Sequence, residues 1–181
     1  MLVVGCGFMG LLCVAGLRSA GPASLIADDL VDARLEVAKQ IGATHCLNPT
    51  RDNVPAAIAD ITGGHGIDVA MEASTVPAGF DLASQVLRRG RARLVVVTTA
   101  LPGATYDVEG CLRIGASVHF AEPGYCLDVA DELRRAMDAL GRGVFPMDRL
   151  ITHRFGQNEI GKAMETCVAR TPGYIKGVVI P

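Results

Sequence analysis

Gly5, Gly7 and Gly10 stand in the pattern G-x-G-x-x-G. At this spacing each glycine meets a different need of a phosphate-binding turn. Gly5 permits a tight turn, Gly7 lets the backbone approach a pyrophosphate with no Cβ in the way, and Gly10 lets the next helix lie close on the strand before it. A helix that opens at this point offers free N–H groups and the positive end of its dipole to an anion. Asp29 follows Gly5 by 24 residues, near the ~20-residue spacing at which an acid meets ribose hydroxyls. Asp28 is the alternative reader, because alternation along a strand turns just one of the two toward the ligand.

Other reactive side chains form no recognisable set. His45, His65, His119 and His153 are not spaced as metal ligands, and His153, among apolar neighbours, reads as a hydrogen-bonded structural histidine. The six cysteines contain no C-x-x-C and sit mostly in apolar segments, as reduced core cysteines do. No catalytic residue and no metal ligand is assigned.

The elements that must hold the turn alternate along the chain. Leu2–Val4 reads as a strand, Leu11 to Leu17 as an apolar helix ended by Gly21-Pro22, and Ser24 to Ala27 as a second strand running into the two acids. A helix follows to Ile41, with Leu35, Ala38 and Ile41 on one face and Gly42 as its stop. His45 to Leu47 is a third strand, and Asn53-Val54-Pro55 opens a short helix. Ile67 to Ala73 is a fourth strand, Pro77 to Arg89 a helix stopped by Gly90, Arg93 to Thr98 a fifth strand and Ser117 to Phe120 a sixth. Such alternation predicts an α/β fold, a doubly wound parallel sheet (a Rossmann fold) of order 3-2-1-4-5-6 with its ligand at the switch between strands 1 and 4. This domain spans residues 1–122. Residues 123–181 read as a helix-strand-helix-strand tail, too short for a core of its own and expected to pack on something else.

With 181 residues the chain is one domain, or one with an appendage. A formal net charge of −2 gives no electrostatic case for nucleic acid or an anionic membrane, and the absence of Trp removes an obvious base-stacking platform. The uncharged run Leu2 to Leu17 is shorter than the ~20 residues that span a bilayer and lacks a basic leader; it reads as a buried strand and helix. Cytoplasm is the expected location.

The stretches VVGCGFMG, DLVDARLEVAKQIGATHCLNP, GIDVAMEAS, RLVVVTTALPG, MDRLITHRF and YIKGVVIP come in this order. In these the chain resembles the cofactor half of a medium-chain, zinc-dependent alcohol dehydrogenase of the polyol, threonine and secondary-alcohol kind. The resemblance implies that Gly5, Gly7 and Gly10, with the amides of Phe8 and Met9, hold the pyrophosphate of NAD. It implies that Asp29 takes the adenosine ribose hydroxyls, that Arg34 touches the same ribose, and that Lys176 lies near the phosphates. Backbone from Val97 to Thr99 and near Phe120 would line the nicotinamide. In that family the zinc ligands, proton relay and most of the substrate pocket lie in an N-terminal barrel. The chain is therefore expected to be a fragment, silent alone, with zinc only in the full-length parent and the tail belonging to the absent catalytic domain.

The substrate implied is a small alcohol, with no nucleic-acid or membrane partner. A homodimer is expected through the edge strand near 116–120, where proline at Ser117 or His119 would remove an outward N–H if one points that way. Alternatives are a zinc-free quinone or enoyl reductase, against whose usual NADPH the acid at Asp29 argues, and a non-enzymatic nucleotide-binding fragment. A methyltransferase on a similar sheet is disfavoured by the glycine spacing and the tail.

Overall fold

The computed structural model describes residues 1–98, 103–121, 124 and 126–181. Its centre is β1, Leu2–Val4, three apolar residues buried on both faces. The pleat sends Leu2 and Val4 into one hydrophobic cluster and Val3 into the other. Such a strand needs cover on both sides, which is why it reads as a continuous apolar run.

Around it lie β2 (Ile26–Asp28), β3 (His45–Leu47), β4 (Val69–Glu72), β5 (Arg93–Val96) and β6 (Ser117–Phe120). All neighbours pair in parallel, in the order β3-β2-β1-β4-β5-β6. This is the order the alternation predicts, with the reversal between β1 and β4. One cluster holds Ile58, Phe80 and Leu94 beneath α3 (Val54–Ile61) and α4 (Pro77–Gln85). The other holds Leu11, Val14 and Leu35 beneath α1 (Phe8–Ser19) and α2 (Asp32–Ile41). The N-terminus of α3 is capped as its sequence suggests: the Asn53 side chain accepts the Ala56 N–H at 3.2 Å, with Pro55 in the first turn.

Several boundaries differ from expectation. Helix α1 starts inside the glycine pattern rather than after it. Strand β2 runs to Asp28, in register with Val4 and Leu47. Strand β4 ends at Glu72, because its carboxylate captures the N–H of Ser74 and turns the chain. Helix α4 ends at Gln85 rather than Arg89, because Leu87 forms a bridge with Ile67; the Gly90 N–H goes to the Ile114 carbonyl. Helix α5, Val108–Ile114, is not foreseen, although Asp107 caps it by accepting the Gly110 N–H and Gly115 ends it at φ +67°.

The tail comprises α6 (Val129–Gly141), α7 (Met147–Leu150), β7 (Ile151–Gly156), α8 (Ile160–Ala169) and β8 (Lys176–Ile180). Met147–Leu150 is helical, and the first strand of the tail starts directly after it, at Ile151. Strands β7 and β8 pair in parallel as a separate two-stranded sheet. Neither α6 nor α8 buries a residue, and Leu133, Met137, Ile160 and Met164 stand exposed. The tail is nonetheless anchored: Leu150 is fully buried in the cluster beneath α1, with Met147 and Ile175 against it.

At β6 the N–H groups of Ser117 and of Ala121, just after it, donate inward, to the carbonyls of Ala92, just before β5, and of Val96 on β5. Alternation turns the His119 N–H inward too, and the N–H groups of Val118 and Phe120 toward the open edge. Neither N–H points outward, so proline at Ser117 or His119 would break the sheet itself.

Candidate functional site

The three glycines meet three different surroundings. Gly5 has φ +86°, and a Cβ on it would stand 2.7 Å from the Ser74 Cα. A Cβ on Gly10 would fall 1.8 Å from the Gly5 carbonyl oxygen and 3.4 Å from the Ala73 Cβ. The third glycine thus lets the helix close on the turn and on the end of β4, rather than on β1. A Cβ on Gly7 would meet nothing within 4 Å. The second glycine faces open space, where a phosphate would approach.

Gly7 is the N-cap of α1, with no side-chain cap and no acid in the first turn among the described residues. A helix start bare of side-chain acceptors and of negative charge is the form that suits an anionic ligand. Phe8 and Met9 open this helix at the mouth of the turn. Lys176, from the far end of the chain, sets its ammonium 5.1 Å from the centre of the Phe8 ring, a cation–π distance that brings positive charge to that mouth.

Asp29 follows β2 directly and is bound to the turn. Its Oδ2 accepts the Cys6 N–H at 2.7 Å and its Oδ1 the Val31 N–H at 2.8 Å. Arg34 Nη1 lies 3.6 Å from Oδ2. Each carboxylate oxygen carries a second lone pair, so the pair of ribose hydroxyls can still be met. Asp28 points the other way. It is 3% exposed and its Oδ2 has no hydrogen-bond partner. Burial, then the charges of Asp29 and Asp52, push its carboxyl up to about 7. Asp29 is therefore the acid that borders the glycine turn.

Cys6 sits inside the same turn. Burial first, then Asp29 and Asp28, push its thiol far above the usual range. It remains a neutral filler with Sγ 3.6 Å from the Asp28 carbonyl oxygen, not a nucleophile.

Across the sheet reversal, the ends of β4 and β5 are joined by Glu72, a residue the sequence reading passes over. It lies 2% exposed in an otherwise apolar strand. The Val97 N–H donates to its carbonyl oxygen at 3.0 Å, and the Thr98 hydroxyl to its Oε2 at 3.1 Å. Val97 and Thr98 thus stand at the carboxyl end of the sheet; Thr99, the third residue expected there, lies outside the described residues. Phe120, at the end of β6, is 74% exposed.

No group of three or more His, Cys, Asp or Glu among the described residues is placed to hold a metal ion. His153 hydrogen-bonds the Thr152 hydroxyl at 2.9 Å and lies between the rings of Phe155 and Tyr174. His45 pairs with Thr44. No helix of the described residues is long and apolar enough to cross a membrane.

Residues 9–138 match the family described as zinc-binding dehydrogenase. The chain is 35% identical over 178 residues to L-threonine 3-dehydrogenase of Pyrococcus abyssi, covering 97% of this chain and 50% of that protein. It is 29% identical over 185 residues to sorbitol dehydrogenase of Bacillus subtilis, covering 99% of this chain and 49% of that enzyme. Among solved structures, 2R,3R-butanediol dehydrogenase of Bacillus subtilis superposes with a TM-score of 0.85 at 26% identity, over 99% of this chain and 50% of that one. The chain spans about half the length of each of these proteins.

Proposed function

Because the chain belongs to the zinc-binding dehydrogenase family, we propose that it is the NAD-binding half of an enzyme that oxidises a small alcohol, secondary or polyol, by hydride transfer. The observation that carries this reading is the joining of Asp29 to the glycine turn through the Cys6 N–H. That contact joins the acid directly to the glycine turn, which supports reading the two together as a ribose and pyrophosphate site. The substrate class follows relatives that act on threonine and sorbitol.

In this reading the pyrophosphate lies against Gly7 and on the amides of Phe8 and Met9, with the Lys176 ammonium as countercharge. Asp29 accepts hydrogen bonds from the adenosine ribose hydroxyls, and Arg34 borders them. Bound NAD supplies the nicotinamide carbon that accepts the hydride. Val97 and Thr98, beside the reversal of the sheet, border the nicotinamide half, as ligands of such sheets lie outside the carboxyl ends of the strands.

Zinc does not fit the described residues, which hold no ligand group, while alcohol chemistry on zinc needs three protein ligands and an open position. We assign the metal, the proton relay and the bulk of the alcohol pocket to the other half of such an enzyme. The exposed apolar faces of α6 and α8 would meet that half. We also assign the open edge of β6 to pairing with a second copy about a two-fold axis.

Calorimetric titration of the 181-residue chain with NAD tests the reading. Saturable one-to-one binding is expected. No heat and no rise in Tm at millimolar NAD would overturn it.

A further inference from the structure

Glu72 stands at the end of β4, beside the point where the strand order reverses, and is 98% removed from solvent by the residue's 2% exposure. A buried carboxylate is costly unless every lone pair in use finds a donor. Here Oε1 accepts the Ser74 N–H at 2.7 Å and the Ser74 hydroxyl at 2.5 Å, and Oε2 accepts the Thr98 hydroxyl at 3.1 Å. One side chain thus ties the loop after β4 to the loop after β5.

The loop after β4 is held in a tense form. Thr75 has φ +70°, a region that a β-branched residue rarely adopts. A Cβ on Gly79 would fall 2.0 Å from the Ser74 hydroxyl, and one on Gly5 would fall 2.7 Å from the Ser74 Cα. Ser74 packs closely between Gly5 and Gly79, and the Glu72 carboxylate holds both its N–H and its hydroxyl.

We infer that Glu72 is a positioning residue of the dinucleotide site, its Oε1 setting Ser74 against the glycine turn and its Oε2 setting Thr98 along the nicotinamide half. This rests on the reading of the site as an NAD site. It adds a division of labour within one carboxylate. The Ser74 arm serves the pyrophosphate turn, and so any dinucleotide. The Thr98 arm serves the half of the ligand that lies across the reversal.

The test compares NAD with ADP-ribose, which keeps the pyrophosphate and both riboses but lacks the nicotinamide. Thr98→Val cuts one arm and keeps the side-chain shape. It should lower NAD affinity about tenfold or more, the scale of one hydrogen bond to a charged group, with ADP-ribose within about twofold of wild type. Glu72→Ala cuts both arms and should weaken both ligands. Glu72→Gln, which can still accept from Ser74 and donate to the Thr98 oxygen, should restore most of both. An unchanged NAD to ADP-ribose ratio in Thr98→Val overturns the inference, and so does equal affinity of the two ligands for the wild type or a Glu72→Gln chain as impaired as Glu72→Ala. If the wild type binds neither ligand, it is the NAD reading itself that fails.

Discussion

The Asp29 carboxylate receives the Cys6 N–H at 2.7 Å, across 23 residues of chain. The acid that follows the second strand is thereby a structural part of the glycine turn as well as the group proposed to face the ribose. Asp29→Ala removes the acceptor for two backbone N–H groups. It should cost about 1–3 kcal/mol of stability, read by urea unfolding, in addition to lowering NAD affinity.

In the proposed site the same carboxylate would set the choice between NAD and NADP. A 2′-phosphate removes a hydroxyl donor and adds roughly −1.5 to −2 of charge. Two unit charges ~4 Å apart repel by about 4 kcal/mol at an effective dielectric near 20. Arg34 already faces Asp29 at 3.6 Å and so offsets only part of this. Wild type should therefore prefer NAD by at least about a hundredfold, and Asp29→Ala should shrink the preference. Calorimetry with both dinucleotides decides the matter: NADP binding as tightly as NAD would refute the assignment.

The glycines divide by what surrounds them. Gly7→Ala places its Cβ in open space, so Tm should hold while NAD affinity falls about tenfold or more, the methyl standing where the phosphates approach. Gly10→Ala drives its Cβ into the Gly5 carbonyl, so Tm should fall by many degrees whether or not NAD is present. Thermal melts with and without NAD separate the two effects. Equal melting losses in both variants would contradict the division.

Asp28 makes stability depend on pH in an unusual direction. Its folded value of about 7 lies above its ordinary 3.8, so the folded chain holds that proton more tightly than the unfolded chain. The contribution is complete below about pH 4 and is lost as pH rises through 7. Asp28→Asn, which cannot ionise, should stabilise the chain at pH 8, by at most about 4 kcal/mol at ~1.4 kcal/mol per pH unit. At pH 4 the gain should vanish. Denaturant unfolding across pH 4–8 checks this, and a variant equally shifted at every pH would exclude the mechanism.

Part of the candidate site was readable in the residue order. The glycine pattern and Asp29 lie on adjacent strands joined by one helix, so their spacing encodes their meeting. The strand order follows from alternation, because parallel strands need crossovers and crossovers have one hand. Glu72 was not readable. Its partner Thr98 is 26 residues away, and one carboxylate in an apolar strand gives no hint of which loop will reach it. Nor was the anchoring role of Leu150, set by a hydrophobic cluster gathered from the other end of the chain. The Asp28–Asp29 ambiguity could not be resolved by alternation alone, since it required knowing which face of β2 carries the glycine turn.

The outer edge of β6 offers its backbone donors on alternate residues. Ser117 and His119 direct their N–H groups into the sheet, and Val118 and Phe120 direct theirs outward. Phe120 is also the most exposed residue of the strand among its large apolar ones, at 74%. Phe120→Pro removes an edge donor and an exposed ring without touching a bond to β5, whereas His119→Pro breaks the inner ladder. If two copies join along this edge, Phe120→Pro should halve the particle mass by light scattering and leave the monomer folded by circular dichroism. His119→Pro should instead lower Tm, because it removes a ladder hydrogen bond from within the sheet. A Phe120→Pro chain with an unchanged dimer mass would place the interface elsewhere. The contrast between neighbouring prolines isolates edge pairing from sheet integrity, because the two positions differ in the direction of a single N–H.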